Sequence, residues 1–530
     1  MKNAKLRGVI AAVSGALLMG FGANAMADST DDIVNALIAK GVLTEEEGAL
    51  LMKGRAGEKE AAEKKAKGAV TATYKDGIRI GTEDGKNSLT VNGRVHFDSR
   101  WYDHEEDNSS AGTTNAPSEV FSRGSDTYDV RRARIGVKAR FLDYYEGEVV
   151  LNGTGSAPVL DVAYLNVAWW KPVQFRVGQF KMPFSLEQLT SSNNIDFIER
   201  SVVDAYIPAK EIGAMVHGSP TTGVTYALAM SNGRGQNGTE NDIRVDNKDV
   251  IGRATINFAE IMGNKDMVLH FGGAFSKGDI SSADGTAAFG GDRQTEARGM
   301  RYFRVPGLCQ TRFKKANNAD LAGPTDSANY CAAGVDAEID RSRLGFETSL
   351  AYGPFKVQGQ WVKNEFDFDT ATGSYDPEIK TWYAEALWTI TGESHASRYK
   401  NGAFSSLKPK NNFDPKTFSG GAWEVGVRYS RFDGSDFDES GLTNRSKDAS
   451  ILGDGARGYA KAKTITAGIK FVPNPHTRFM LDFVHTKFDD PFGSKDINGN
   501  FEQGFANDFN VNGDLVDDEK AVLFRTQFAF

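Results

Sequence analysis

From about Ser88 to Phe530 apolar residues recur at every second position, the period of a strand with one apolar and one polar face. Leu89, Val91, Val95 and Phe97 alternate with Asn92, Arg94, His96 and Asp98, and Val173, Phe175 and Val177 with Gln174, Arg176 and Gly178. The same pattern runs through Trp423, Val425, Val427 and Tyr429, and again through Val522, Phe524, Thr526 and Phe528. The connections alternate too. Asp143-Tyr144, Lys171-Pro172, Ser219 to Gly223, Tyr352-Gly353-Pro354 and Pro473 to His476 are tight turns. Asp103 to Tyr128, Lys277 to Glu338 and Asp489 to Asp518 are long and polar. Short turns on one side and long loops on the other suit a sheet closed in lipid, where every backbone polar group needs a partner within the protein. The expectation is an all-β fold, a transmembrane antiparallel β-barrel of about 16 strands, beginning and ending on the short-turn side. Side chains alone cannot fill such a lumen, so water and folded-in loops must occupy it. Trp169-Trp170, Trp382-Tyr383 and Phe528 with Phe530 are expected at the two lipid interfaces.

Outside the N-terminus no run of 18 uncharged apolar residues exists, which excludes a bundle of membrane helices. Among 530 residues the formal net charge is −8, a poor balance for binding nucleic acid. Residues 1–27 read as a signal peptide, with basic Lys2, Lys5 and Arg7, an apolar Val9 to Phe21 and small-residue sites at Ala25 and Ala27; an uncleaved anchor helix is the alternative. Residues 28–70 read as a short α-helical segment, marked by the capping-box pair Thr44 and Glu47 and the Glu/Lys/Ala-rich stretch 58–67. It is either a solvated spacer or a periplasmic, coiled-coil-like helix that associates between subunits. Residues 71–530 form one barrel domain. The only cysteines, Cys309 and Cys331, are expected to form a disulfide within one loop of an exported chain. No metal or cofactor motif is present.

Strand parity sorts the charges. With Ala133, Ile135 and Val137 outward, Arg132, Arg134, Lys138 and Arg140 face inward; Arg341 and Arg343 do so when Leu344 and Phe346 face out. Arg94, Arg100, Arg176, Arg253, Lys356, Arg428, Lys470 and Arg525 share the inward parity of their strands, against fewer acids such as Asp98, Glu146, Glu148, Glu347, Glu424 and Asp482. A basic lumen in an acidic protein points to small anions. The alternative is that these bases pair with the acids and only order water.

Several pieces in order then carry a family likeness: Gly93-Arg94, Arg131-Arg132-Ala133, Phe175-Arg176-Val177-Gly178-Gln179-Phe180, Leu189-Thr190-Ser191-Ser192, Glu199-Arg200, Thr389 to Glu393, and Gly421-Ala422-Trp423-Glu424. From Val91 onward the chain resembles the phosphate-selective porin O and P family. The resemblance implies an outer-membrane porin of a Gram-negative bacterium, a homotrimer of sixteen-stranded barrels. It implies a third loop folded inward and an arginine ladder guiding phosphate or related anions by passive diffusion. Carried over, Arg94, Arg131, Arg132 and Arg200 match ladder or constriction positions. Ser191 and Ser192 match paired hydroxyls of the inward loop, Asp161 an acid facing the site, and Lys380 a lysine near the constriction. Arg301, with Arg293, Arg298, Arg304, Arg312, Lys314 and Lys315, resembles a basic entrance.

Three positions depart from the pattern: Gln188 and Asn193 stand where lysines flank the paired serines, and Arg134 where a tyrosine is expected. Phosphate, another oxyanion or an organic anion would suit the remaining hydroxyls and amides. A porin of broader specificity, or an adhesin or receptor barrel working through its loops, are the alternatives; the latter would not need inward arginines. No His lies near Ser191 or Ser192 in sequence, so no catalytic residue is assigned. Outer-membrane lipid and lipopolysaccharide are the expected surroundings, and the acidic loops could bind divalent cations.

Overall fold

The computed structural model describes residues 38, 40, 44–47, 49, 53, 70–74, 77–103, 126–155, 158–238, 248–281, 293–304, 338–370, 373–439, 457–458, 461–492 and 516–530. The leader, most of the 28–70 segment, Cys309, Cys331, Arg312, Lys314 and Lys315 lie outside the described residues. At the N-terminus, taken by itself, Thr44 and Glu47 exchange hydrogen bonds: the Glu47 carboxylate accepts from the Thr44 N–H (2.9 Å), and Thr44 Oγ1 accepts from the Glu47 N–H (3.2 Å). This is a capping box at the start of a helical turn.

Sixteen strands close one antiparallel barrel. They are β1 (Ser88–Tyr102), β2 (Thr127–Phe141), β3 (Tyr145–Asn152), β4 (Val159–Trp170), β5 (Val173–Lys181), β6 (Lys210–Thr221), β7 (Val224–Ser231) and β8 (Asp249–Asn257). The second half holds β9 (Met267–Ser281), β10 (Glu338–Tyr352), β11 (Phe355–Thr370), β12 (Glu378–Thr389), β13 (Ala422–Asp433), β14 (Lys461–Asn474), β15 (Thr477–Phe492) and β16 (Val516–Ala529). Each pairs with the next, and β16 returns to β1 with Ala521 opposite Tyr102 and Ala529 opposite Arg94. Phe530 completes the seam: its N–H donates to the Gly93 carbonyl (3.0 Å) and its carbonyl accepts from the Gly93 N–H (2.9 Å). A Cβ on Gly93 would lie 2.6 Å from the Phe530 ring, so any side chain there would have to displace that ring.

The alternation sets the two faces. Ile135, Phe175, Phe275, Phe346, Val427, Phe483 and Phe528 are exposed on the outside, whereas Arg132, Arg253, Glu347, Arg428, Lys470 and Arg525 are buried within. Trp169, Trp170 and Phe528 are exposed as expected, but Tyr383 is not an interface residue: it points inward, is buried and accepts from Gln358 Nε2 at 2.7 Å. It lies one position from outward Trp382, and in a regularly paired stretch of strand adjacent residues point to opposite faces; Trp169 and Trp170 are both exposed where the β4–β5 register shifts.

The turns are less strictly asymmetric than the sequence suggests. Between β12 and β13 the short-turn side carries residues 390–421, a long excursion that enters the barrel mouth. Its His395 N–H donates to the Gly353 carbonyl (2.9 Å), Tyr399 Oη lies 2.7 Å from His270, and Phe404 and Ala396 pack on Leu186, Val268 and Ala351. From the other side, residues 182–209 between β5 and β6 fold inward, with a helical turn α1 (Leu186–Leu189) capped by Ser185 and a 3₁₀ turn at Val202–Tyr206. Met182, Phe184, Val203 and Ile207 of this loop pack on Met215, Ile251, Ala274 and Val362 of the wall. A second, aromatic core joins Tyr206, Tyr302, Phe303, Phe366, Phe432 and Phe488. Loops therefore fill much of the lumen with ordinary close-packed core.

Candidate functional site

The inward loop is held by its buried backbone amides, each of which needs an acceptor. Wall carboxylates supply several: Glu347 accepts from the Leu186 N–H (2.6 Å) and Asp482 from the Ile198 N–H (2.6 Å), while Glu296 of the 293–304 segment accepts from the Val202 N–H (2.8 Å). Bases then pair with these or neighbouring acids. Arg253 pairs with Glu347 (2.5 Å), Arg428 with Glu296 (2.7 Å), Lys470 with Glu424 (2.6 Å), and Lys356 with Asp196 at the loop tip (2.5 Å). Burial pushes the Asp196 carboxyl up, but Lys356 and Lys470 outweigh it and hold the group below the usual carboxylate range. Much of the inward basic set is thus spent on fixing the loop, a role that parity alone cannot distinguish from guiding anions.

A different balance holds where the loop faces β1–β4. Arg94 Nη1 donates to Ser192 Oγ (3.1 Å) and Ser191 Oγ (3.4 Å), and directly opposite it on β2 lies Arg134, paired with Asp161 at 2.9 Å. Lys210 also pairs with Asp161. Arg200 donates to the carbonyls of Glu187 (3.2 Å) and Thr190 (3.0 Å), and Lys181 Nζ to those of Gln188 (2.5 Å), Leu189 (3.2 Å) and Thr190 (2.9 Å). These two bases cap the C-terminal end of α1, where unpaired carbonyls favour cations. Arg94, Arg134, Lys181, Arg200 and Lys210 are balanced here by Asp161 and by Asp204, 3.6 Å from Arg200.

Next to this group, Arg131 and Arg132 both face inward although they are adjacent. His96 pairs with Arg132 and Phe97 with Val130, so the chain skips Arg131 in register. This β-bulge turns both guanidinium groups to one side. Glu199 of the loop receives Arg131 (3.0 Å), Arg100 (3.1 Å) and Arg525 (3.8 Å), and Arg525 also grips Asp98 at 2.6 Å. Burial raises the Glu199 carboxyl, yet Arg131 and Arg525 outweigh it and hold it well below the usual range. Among the described residues, neither Arg94 nor Arg132 has a carboxylate within 4 Å.

The expected residues thus fall into place unevenly. Arg94, Arg131, Arg132, Arg134, Asp161, Ser191, Ser192 and Arg200 line one contiguous region. Arg301 lies on the short strand Arg301–Arg304, opposite Gln294 in register. Lys380 is a correction: it sits on the outer face of β12, exposed and paired with Glu378, because it shares the parity of Trp382 rather than of Tyr383. Lys181 and Lys210 are new. They lie opposite each other at the loop-proximal ends of β5 and β6, on the parity of exposed Val177 and Val216, so alternation assigns them outward. Gly178 of β5 has a φ of +121°, which few L-residues adopt, and a Cβ there would meet the Ala163 carbonyl at 2.2 Å. Gln188 is buried, and Asn193 Oδ1 lies 2.9 Å from His96 Nε2, so the two departures are built into the loop's packing.

Comparison with known proteins meets this picture. The family model described as phosphate-selective porin O and P matches residues 108–492. Porin O of Pseudomonas aeruginosa is 25% identical over 437 residues, covering 78% of this chain and 86% of that protein. Among solved structures, an anion-selective porin from Comamonas acidovorans aligns over 84% of this chain and 100% of its own, at 12% identity and a TM-score of 0.43. OprB of Pseudomonas putida aligns over 84% and 95%, at 9% identity and a TM-score of 0.42. A closed sixteen-stranded barrel with an apolar outer wall and a charged lumen, matched over most of its length, belongs to the phosphate-selective porin O and P family of outer-membrane porins.

Proposed function

We propose that the chain forms a water-filled channel passing small anions, phosphate or related oxyanions among them, by passive diffusion past the β1–β4 wall. The observation that carries this reading is the local excess of bases there: among the described residues Arg94 and Arg132 have no carboxylate within 4 Å, while Arg94 reaches the Ser191 and Ser192 hydroxyls. On the short-turn side of this wall, side chains of Lys138, Arg140 and Glu146 remain 57%, 45% and 38% exposed, so water reaches the lumen along it. An oxyanion entering the narrow zone would exchange hydration for charge-assisted hydrogen bonds from guanidinium forks and hydroxyls. Asp161 tempers the field of Arg134 and Lys210, which favours release over tight capture. The third loop, held by wall carboxylates, acts as the constriction, and a homotrimer with a cleaved leader completes the reading. The test is planar-bilayer recording of the purified protein. A reversal potential in a potassium chloride gradient that reports anion preference, with phosphate reducing the chloride current, supports it; cation preference refutes it, and anion preference without phosphate block removes phosphate from the proposal.

A further inference from the structure

The connection that follows β7 turns back over the wall before it passes out of the described residues. Its first amides are held by β6: the Asn232 N–H donates to the Ile212 carbonyl (3.1 Å) and the Gly233 N–H to the Glu211 carboxylate (3.1 Å). Left-handed φ values at Gly233 (71°), Gly235 (74°) and Asn237 (61°) then carry the chain across β6 toward β5 and β4, and glycine and asparagine adopt such values readily. The chain arrives on Gln179, a buried residue of β5. There the Asn237 N–H donates to Gln179 Oε1 (2.9 Å), and Gln179 Nε2 donates to Asn237 Oδ1 (2.8 Å) and to the Leu160 carbonyl (2.8 Å). This seats Gln236 beside the acid of the narrow zone. Gln236 Nε2 lies 3.0 Å from the Leu160 carbonyl oxygen and 3.5 Å from Asp161 Oδ1, the oxygen that Lys210 also holds, while Arg134 holds Oδ2 at 2.9 Å. An amide nitrogen that faces two acceptors fixes the side chain's orientation, so Gln236 Oε1 is turned away from both. The residue is exposed, and among the described residues Oε1 accepts no hydrogen bond. Arg134, bound to the same carboxylate, keeps a buried Nε with no partner among the described residues. Asp161 is thus flanked by an idle donor on a base and an idle acceptor on an amide, and such unpaired groups mark a place where a solute can bind.

We propose that Gln236 is a specificity-determining residue of the channel, its Oε1 accepting a hydrogen bond from the P–OH group of phosphate while the bases around Asp161 hold the other oxygens. The inference rests on the channel reading and narrows it, from small anions in general to oxyanions that still carry a proton. Phosphate at neutral pH is such an ion. Sulfate has the same tetrahedral shape but only accepts, and it would set an oxygen against Oε1 with no proton between them. A site arranged to bond a solute's proton disfavours the analogue that lacks it. A neutral acceptor does so without adding a second negative charge beside Asp161, so it sorts anions without repelling them.

The experiment is planar-bilayer recording of the full chain, with inorganic phosphate and sulfate each titrated against the chloride current at a mildly alkaline pH, where both are mainly dianions and only phosphate keeps a proton. In the parent channel phosphate should halve the current at a lower concentration than sulfate does. Gln236→Leu should raise the phosphate half-block concentration about 3- to 10-fold, the effect of one partly hydrated hydrogen bond, and shift that of sulfate by less than about 2-fold. Gln236→Lys keeps a donor toward Leu160 and Asp161 but has no acceptor, so its added charge should tighten block by both ions while the preference for phosphate is lost. Chloride current in each variant reports a folded barrel, and should Gln236→Leu give no channels, Gln236→Lys carries the test. If Gln236 only ties its loop to β4, phosphate and sulfate shift together in Gln236→Leu, and Gln236→Lys keeps the parent preference. Either result, or equal block by the two ions in the parent channel, overturns the proposal and leaves the channel reading standing. A parent channel that prefers cations refutes the channel reading, and the role of Gln236 falls with it.

Discussion

Asp161 offers the sharpest test of the channel reading, because it is an acid placed among bases. Its two oxygens serve Arg134, at 2.9 Å, and Lys210, and Arg94 stands across from Arg134 on the neighbouring strand. Asp161→Asn keeps the shape and removes one negative charge. For an anion held about 5 Å away, that charge is worth about 0.8 kcal/mol at the dielectric of water and about 3 kcal/mol at an effective dielectric of 20. The side chain of Asp161 is only 3% exposed, which argues for a value between these limits. The phosphate concentration that halves the chloride current should therefore fall by a factor between about 4 and about 200, with longer phosphate dwell times. Single-channel recordings at low and high salt separate this from a structural change, since screening should shrink the effect. An unchanged or higher half-block concentration would mean that anions do not pass Asp161, and the assignment of Arg94, Arg134 and Lys210 to the pathway would fall with it.

Other substitutions separate guiding from fixing. Arg94→Gln should reduce anion preference and weaken phosphate block with little change in thermal stability, because among the described residues this arginine leaves no carboxylate unpaired; an equal effect from Arg140→Gln, at the exposed short-turn end, would count against a narrow zone. Asp98→Ala should cost about 3 kcal/mol by removing the bidentate partner of Arg525, whose side chain is fully buried and, among the described residues, keeps only Glu199 at 3.8 Å as counter-charge, and should lower the melting temperature in detergent rather than change selectivity first. Lys356→Met removes the base that holds Asp196 at the loop tip, and the expected result is added current noise and a larger mean conductance; a quiet channel of parent conductance would show that the wall carboxylates alone fix the loop.

Alternation was enough to read the barrel, because a two-residue period and closed backbone pairing leave few other solutions for such a wall. It was also enough for Arg94 and Arg134, which sit mid-strand, whereas Asp161 came only from the family likeness and lies where the β3–β4 register shifts. It failed wherever the pleat is interrupted. The bulge at Arg131 adds a second inward arginine that strict parity forbids, and Lys181 and Lys210, at the loop-proximal ends of their strands, reach Asp161 and the inward loop from the face opposite to the one their numbers assign. Lys380 and Tyr383 show the converse, since neither a likeness of short motifs, in the first case, nor an aromatic pair, in the second, can outweigh the pleat. The 390–421 excursion carries no alternation to read, and its place in the mouth depends on contacts such as those of Phe404 and His395 with distant strands. Nor does charge type reveal purpose: Arg428 and Arg525 look like Arg94 in sequence, and the acids that reach them, Glu296 for Arg428 and Asp98 with Glu199 for Arg525, separate them.

The seam between β1 and β16 has a consequence for how the chain reaches this state. Every other neighbour along the wall follows its partner in sequence, while the strand that opens the barrel meets the one that ends it. Until that meeting, β1 presents a row of unpaired amides and carbonyls along one side, the kind of edge that recruits other chains. Contacts so distant in sequence also make folding slow. The barrel is therefore most vulnerable to mispairing before its last strand arrives, and the Gly93–Phe530 clasp, the final pair of that seam, marks the end of the hazard. A chain shortened by its last few residues should fail as an aggregate in transit rather than as a leaky pore in the membrane.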